Sequence, residues 1–227
     1  MEIRFDEQVA IVTGAGRGLG RSHAIAMASK GAKVVVNDFS GSNEISENAK
    51  SVVQEITSAG GEAIAHGANV ANFDQVQSMV NETIDKWGRV DILVNNAGIL
   101  RDKTFLKMSV EDMREVIDVH LMGSLNCSKA VWEIMREQSY GRIVLTSSSS
   151  GLYGNFGQTN YGAAKMAMVG IMNTLHLEGM KYNIKVNCLS PTAGTAMTDG
   201  LFPEPVFKLM PPESVSPGVV FLCSENA

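Results

Sequence analysis

The chain has 227 residues, 44% of them hydrophobic, and a formal net charge of −5. That length supports one sizeable hydrophobic core and is short for two, so a single domain over residues 1–227 is expected. The acidic balance excludes the basic footprint that nucleic acids and anionic membranes reward, and no apolar run reaches the ~18 residues of a membrane span, which leaves a small molecule as the expected partner.

The amino terminus MEIRFDEQ lacks the apolar centre of a secretion signal. Short β-branched runs then alternate with longer amphipathic ones. QVAIVT predicts a strand and is followed by a helix from Gly18; KVVVND predicts the second strand, with a helix over 45–59. AIAHGANV is the third strand, before a helix over 74–87. VDILVNN is the fourth, before a long helix over about 111–137 whose N-cap reads as Ser109. GRIVLTS, a helix carrying Tyr161 and Lys165, the strand IKVNCLS and a proline-containing connection over 192–212 complete the series. Strands apolar on both faces and separated by helices predict an α/β fold: a Rossmann-type, doubly wound parallel sheet with helices on both faces. The connection over 192–212 is long enough to act as a substrate lid.

The first strand runs into TGAGRGLG. Gly14, Gly18 and Gly20 allow the backbone to turn tightly and approach a pyrophosphate, and Leu19 lies in the opening turn of a helix whose free N–H groups suit an anion. Asp38 ends the second strand 18 positions after Gly20, near the offset at which an acidic residue holds ribose hydroxyls. A carboxylate there favours NAD and opposes the 2′-phosphate of NADP. Arg17 argues the other way, since a guanidinium could pair with that phosphate; a solvated loop arginine is its competing reading. Asn69 and Val70, after the third strand, sit where an adenine edge or a simple turn would be. Asn95, Asn96, Ala97 and Gly98 end the fourth strand as the floor under a cofactor or as a structural turn.

Tyr161 and Lys165 are four apart on a helix and therefore share a face. Oxidation of an alcohol by hydride transfer also requires a base for the hydroxyl proton. An ordinary tyrosine, with pKa near 10, is only ~0.1% phenolate at neutral pH, and lowering it to ~7 takes about 4 kcal/mol. An ammonium ~5 Å away at an effective dielectric of ~20 contributes about 3 kcal/mol, so Lys165 is the expected electrostatic partner. In the run Ser147, Ser148, Ser149 and Ser150, strand alternation would put Ser148 on one face with Thr146 and Ser150; alternation alone does not select among them.

TGAGRGLG, NNAG, and Ser148 followed thirteen positions later by Tyr161 and then Lys165 together resemble the short-chain dehydrogenase/reductase family. GILRDKTF, VHLMGS, SSSGLYGNFGQTNYGAAK and LSPTAGTAMT are similar to its branch of (3R)-hydroxyacyl-CoA dehydrogenase units, found in peroxisomal multifunctional enzymes and bacterial relatives. The resemblance implies Ser148 as substrate polariser, Tyr161 as acid/base, Lys165 also on the nicotinamide ribose, and Pro191 beside the cofactor. His120 stands where most of the family has an asparagine of a proton relay; the hydroxyacyl-CoA branch has histidine, which makes His120 a candidate relay member. The family's sheet has seven strands, and the last would fall beyond CSENA at the end of this chain.

The expected activity is NAD-dependent interconversion of (3R)-3-hydroxyacyl-CoA and 3-oxoacyl-CoA. Alternatives are an NADPH-dependent 3-oxoacyl carrier-protein reductase, a dehydrogenase of steroids or other secondary alcohols, and a non-catalytic dinucleotide sensor in which a tuned phenol would be superfluous. Arg101, Lys103, Lys107 and Lys208 could meet coenzyme A phosphates or be ordinary surface cations. Met166, Met168, Met172 and Met180 follow Tyr161 on a helix that is apolar on most faces, which suggests a homodimer or homotetramer paired through it. No His, Cys or carboxylate grouping has metal-ligand spacing, so no metal is expected. Cys127, Cys188 and Cys223, odd in number and widely spaced, read as buried thiols of a reducing compartment, with His23, His66 and His176 as packing or surface residues. The location expected is the cytoplasm, or the peroxisome if the unit belongs to a larger eukaryotic polypeptide.

Overall fold

The computed structural model describes residues 2–42, 44–200 and 203–227. Six strands, β1 (Val9–Thr13), β2 (Lys33–Asn37), β3 (Ala63–His66), β4 (Ile92–Asn95), β5 (Gly141–Thr146) and β6 (Ile184–Leu189), form one parallel sheet in the order β3-β2-β1-β4-β5-β6. The order reverses between β1 and β4, which opens a crevice at the carboxyl ends of those strands. Side-chain alternation splits the core into two layers. Ala10, Val12, Val34, Val36 and Val94 pack under α1 (Gly18–Ser29), α2 (Glu47–Ser58) and α9 (Ser216–Leu222); Ile11, Val35, Leu93, Ile143 and Leu145 pack under α3 (Phe73–Trp87), α5 (Gly123–Gln138) and α7 (Thr159–Gly179).

Local chemistry sets the helix starts. Ser46, Asn72 and Ser109 each accept a backbone N–H of the first turn, at 3.0, 3.2 and 3.0 Å, and so cap α2, α3 and α4 (Val110–Ile117). The anticipated cap at Ser109 is therefore present. Gly88, at φ +74°, ends α3 in the left-handed conformation glycine tolerates.

Three elements differ from the sequence expectation. The long helix is not continuous: between α4 and α5 the residues Asp118–Met122 form a π-helical turn, and His120 lies inside it. The serine run does not extend β5. The strand stops at Thr146, and Ser148 caps the short helix α6 (Ser149–Tyr153) by accepting the N–H of Ser150 at 3.1 Å, so the alternation argument ends at Thr146. Serine hydroxyls compete for backbone groups, which favours a cap over further strand. The third strand ends at His66, because Gly67 packs against the backbone of Glu44 and Asn69 starts a turn, its Oδ1 accepting from Ala71 N at 3.0 Å.

In the connection over 192–212, residues 201 and 202 lie outside the described ones. Its ends are drawn together by Gly194 N–H donating to Met210 O at 2.6 Å, and Phe207 of α8 (Glu204–Lys208) lies against Gly194. Beyond it, Ser216 on α9 bonds Ser22 Oγ at 2.6 Å and His23 Nδ1 at 2.9 Å, a buried polar clasp onto α1. Burial pushes the His23 pKa down to about 4, so the ring is neutral.

Candidate active site

The glycine turn is built by close backbone approach. Gly14 and Gly18 have φ of +61° and +56°, and a Cβ on Gly14 would come within 2.8 Å of Ala97 Cα. A Cβ on Gly20 would overlap the Gly14 carbonyl. Helix α1 opens with no side-chain cap and no acidic residue in its first turn, so the N–H groups of Gly18, Leu19 and Gly20 stay available to an anion. This turn, with uncapped helix N–H groups at the sheet's switch point, fits the pyrophosphate of a dinucleotide.

The floor beside it is a hydrogen-bonded lock. Thr13 Oγ1 accepts from the N–H groups of Asn96 and Ala97, both at 3.1 Å, and Asn96 Nδ2 donates to Thr13 O and Gly14 O at 2.9 and 3.1 Å. Both amide protons of Asn96 thus tie β4 to the glycine turn. Asn95 is turned away, donating to Ser128 Oγ at 3.3 Å. Asp38 stands at the tip of β2 against Gly16, while Arg17 is exposed. Val70 is buried under the start of α5, its carbonyl accepting from Asn126 Nδ2 at 2.9 Å. Pro191 is half-buried just past β6, and the following Thr195 approaches Gly18.

Ser148, Tyr161, Lys165 and His120 come together beyond the end of β5. The rings of His120 and Tyr161 meet edge to face, with centroids 5.2 Å apart. Lys165 Nζ lies 5.6 Å from the Tyr161 ring centroid and donates to Thr146 O at 2.6 Å. Gly98 makes room for His120: a Cβ there would overlap the imidazole. His120 Nε2 is 2.8 Å from Ile99 O and 3.1 Å from Ile99 N; the shorter contact puts the proton on Nε2. Nδ1 is then a bare acceptor, buried and without a partner among the described residues. Burial, reinforced by the charge of Lys165, pushes His120 down to about 3, so it is neutral.

The expected lowering of the phenol is not met in the chain alone. Burial holds the Tyr161 hydroxyl above its ordinary value; a hydrogen bond with Ser148 opposes this and the charge of Asp102 adds to it. Lys165 is itself pushed down to about 7 by burial, opposed by Cys188, so burial disfavours its ammonium form. Spacing gave the shared face of tyrosine and lysine correctly but carried no information on how dry that face is.

Several site-building residues escaped sequence reasoning. Asn160 accepts the Tyr161 N–H at 2.8 Å and donates to the carbonyls of Arg101 and Asp112, both at 3.3 Å. Gln158, just before α7, donates to Asp102 at 2.6 Å. A polar residue beside the tyrosine was the available signal. Of the cations considered for coenzyme A, Arg101 pairs with Glu115 at 2.9 Å, Lys103 with Asp112 at 2.9 Å and Lys208 with Glu204 at 2.6 Å. The cysteines also split: Cys127 and Cys223 are buried, whereas Cys188 is only half-buried.

A parallel sheet with a glycine turn at its switch point, and with tyrosine, lysine, serine and histidine side chains gathered beyond a neighbouring strand, is an arrangement that suits a dinucleotide-dependent oxidoreductase. The chain matches the short chain dehydrogenase family over residues 8–205 and belongs to it. Enzymes of that family are oxidoreductases acting on CH–OH groups and bind a nicotinamide dinucleotide. The chain is 48% identical to peroxisomal multifunctional enzyme type 2 of Drosophila melanogaster over 99% of this chain, and spans only 38% of that protein. It is 44% identical to a 3-oxoacyl-acyl-carrier-protein reductase of Synechocystis over 97% of this chain and 90% of that one. A solved short chain dehydrogenase from Mycobacterium avium has the same fold, with TM-score 0.88 at 43% identity over 97% of this chain and 78% of that one. No helix among the described residues is long and apolar enough to cross a membrane.

Proposed function

We propose that the chain is an NAD-dependent dehydrogenase interconverting (3R)-3-hydroxyacyl-CoA and 3-oxoacyl-CoA. The observation that carries the chemistry is the convergence of Ser148, Tyr161 and Lys165 beside the glycine cradle. The thioester substrate is supported by the likeness to the peroxisomal multifunctional enzyme. NAD supplies the hydride acceptor. Gly14, Gly18, Leu19 and Gly20 would receive its pyrophosphate, Asp38 its ribose hydroxyls and Asn69 and Val70 its adenine edge, and Asn96, Ala97, Gly98, Lys165 and Pro191 would border the nicotinamide end. Ser148 Oγ hydrogen-bonds the substrate oxygen and Tyr161 Oη takes the hydroxyl proton. Burial disfavours the Tyr161 phenolate, and a positive charge beside it, from Lys165 or from an oxidised nicotinamide ring, would favour proton removal. His120, neutral and edge to face with Tyr161, is the relay member in this reading.

The second reading, an NADPH-dependent 3-oxoacyl carrier-protein reductase, is favoured by exposed Arg17 and by the Synechocystis relative. The chain also pairs with a second copy through α5 and α7, where Met166 and Leu177 of α7 and Met180 just past it are exposed. Turnover of the two enantiomers of 3-hydroxybutyryl-CoA with each cofactor tests the proposal. The 3R form with NAD is expected to exceed every other combination at least tenfold in kcat/KM. Equal rates for both enantiomers reject the stereospecific thioester reading, and a preference for NADP selects the second reading.

A further inference from the structure

Asp38 does not stand alone at the tip of β2. Its Oδ2 accepts a hydrogen bond from Ser46 Oγ at 2.7 Å, and the same Oγ accepts from Ala49 N at 3.0 Å as the cap of α2. A hydroxyl has one proton to give and two lone pairs to receive, so it serves both partners at once. Ser46 is buried, so water is poorly placed to take over its role. Across the carboxylate lies Gly16. A Cβ there would overlap Oδ2, come within 2.6 Å of Asp38 Cγ and within 2.8 Å of Asn48 Cβ. Gly16 is not among the glycines with positive φ, so its backbone does not demand glycine; the missing Cβ does.

We infer that Ser46 and Gly16 are positioning residues for cofactor selection. The Ser46 hydroxyl pins one oxygen of Asp38, and the bare Gly16 leaves the carboxylate the space in which it is pinned. Oδ1, which has no hydrogen-bond partner among the described residues, is thereby left to accept from a ribose 2′-hydroxyl and to oppose a 2′-phosphate. The inference rests on the NAD reading above. Its physical content is that selectivity belongs to a held carboxylate rather than to a carboxylate in that region of the chain.

Equilibrium titration with NADH and with NADPH, followed by nucleotide fluorescence, tests this on the full chain and on D38A, S46A, S46G, S46T and G16A. D38A is expected to lose the preference for NADH. S46A and G16A are expected to weaken NADH about tenfold, equivalent to about 1.4 kcal/mol, and to narrow the NADH:NADPH ratio by a similar factor. S46G separates holding from capping: glycine replaces serine at a helix N-cap at little cost but cannot donate to Asp38, so it keeps the melting temperature close to the parent's while losing the preference. S46T, which keeps the donor, restores NADH affinity. The inference is overturned if S46A and G16A retain the parent ratio while D38A loses it. It falls together with the NAD reading if the unmodified chain already prefers NADPH.

Discussion

His23, His120 and Lys165 share a physical situation: each is a basic side chain whose burial favours its neutral form. For His23 the consequence can be measured as stability. Its folded pKa of about 4 lies below the ordinary value near 6.5, so the unfolded chain binds the proton more readily. The His23 contribution is complete above about pH 6.5 and is lost as pH falls toward 4. At pH 5 the loss from His23 is about 2 kcal/mol, read as a lower denaturant midpoint than at pH 7. An H23N variant is expected to show a shallower fall over that window; an unchanged slope would remove His23 as its source. At this scale the sequence was informative where geometry follows from spacing, as in Tyr161 and Lys165, four apart on one helix. It was silent where the partner is distant in the chain: Ser216 for His23, Thr13 for Asn96 and Asp102 for Gln158 join through the tertiary fold.

At the scale of elements, the apolar periods and cap residues made most boundaries legible, because local chemistry alone decides them. The π-helical turn at Asp118–Met122 was not legible. Its extra residue per turn has no period of its own over five residues, and it is held by contacts from elsewhere, among them Ile99 on His120. Helix α6 was hidden by the serine run, whose composition suits a turn, a strand end or a cap equally. Its seat on α7 is unusually close: a Cβ on Gly151 would come within 2.7 Å of Met166 N and 2.8 Å of the Lys165 carbonyl carbon. Ser147 Oγ reinforces the seat by donating to Lys165 O at 2.8 Å. Gly151→Ala is therefore expected to push α6 off α7, with a loss of about 1–3 kcal/mol in denaturant unfolding. Because Ser148 caps α6, kcat should fall as well; a variant with parental stability and kcat would show that the close seat has no role.

For the molecule as a whole, the sheet gathers side chains that are far apart in sequence at one edge. Thr13 ends β1, Asn95 ends β4, Thr146 ends β5 and Leu189 ends β6, and each is followed directly by a segment of the site. This is why a chain reading could group the glycine turn, the segment Asn95–Gly98 and the residues Ser148, Tyr161 and Lys165 at one end of the sheet: strand order brings their starting points together, and each motif begins where a strand stops. What it could not recover is the dryness of the crevice, which depends on α5, α6 and α7 packing over it. That dryness holds the Tyr161 phenol above its ordinary pKa and Lys165 down to about 7, so the proposed proton exchange at Tyr161 would wait for cofactor and substrate to bind. The most direct test is Tyr161→Phe, assayed for NADH affinity and for oxidation of (3R)-3-hydroxybutyryl-CoA. NADH binding within about twofold of the parent, with kcat reduced by about a thousandfold, is the predicted result. Turnover near the parental rate would contradict it.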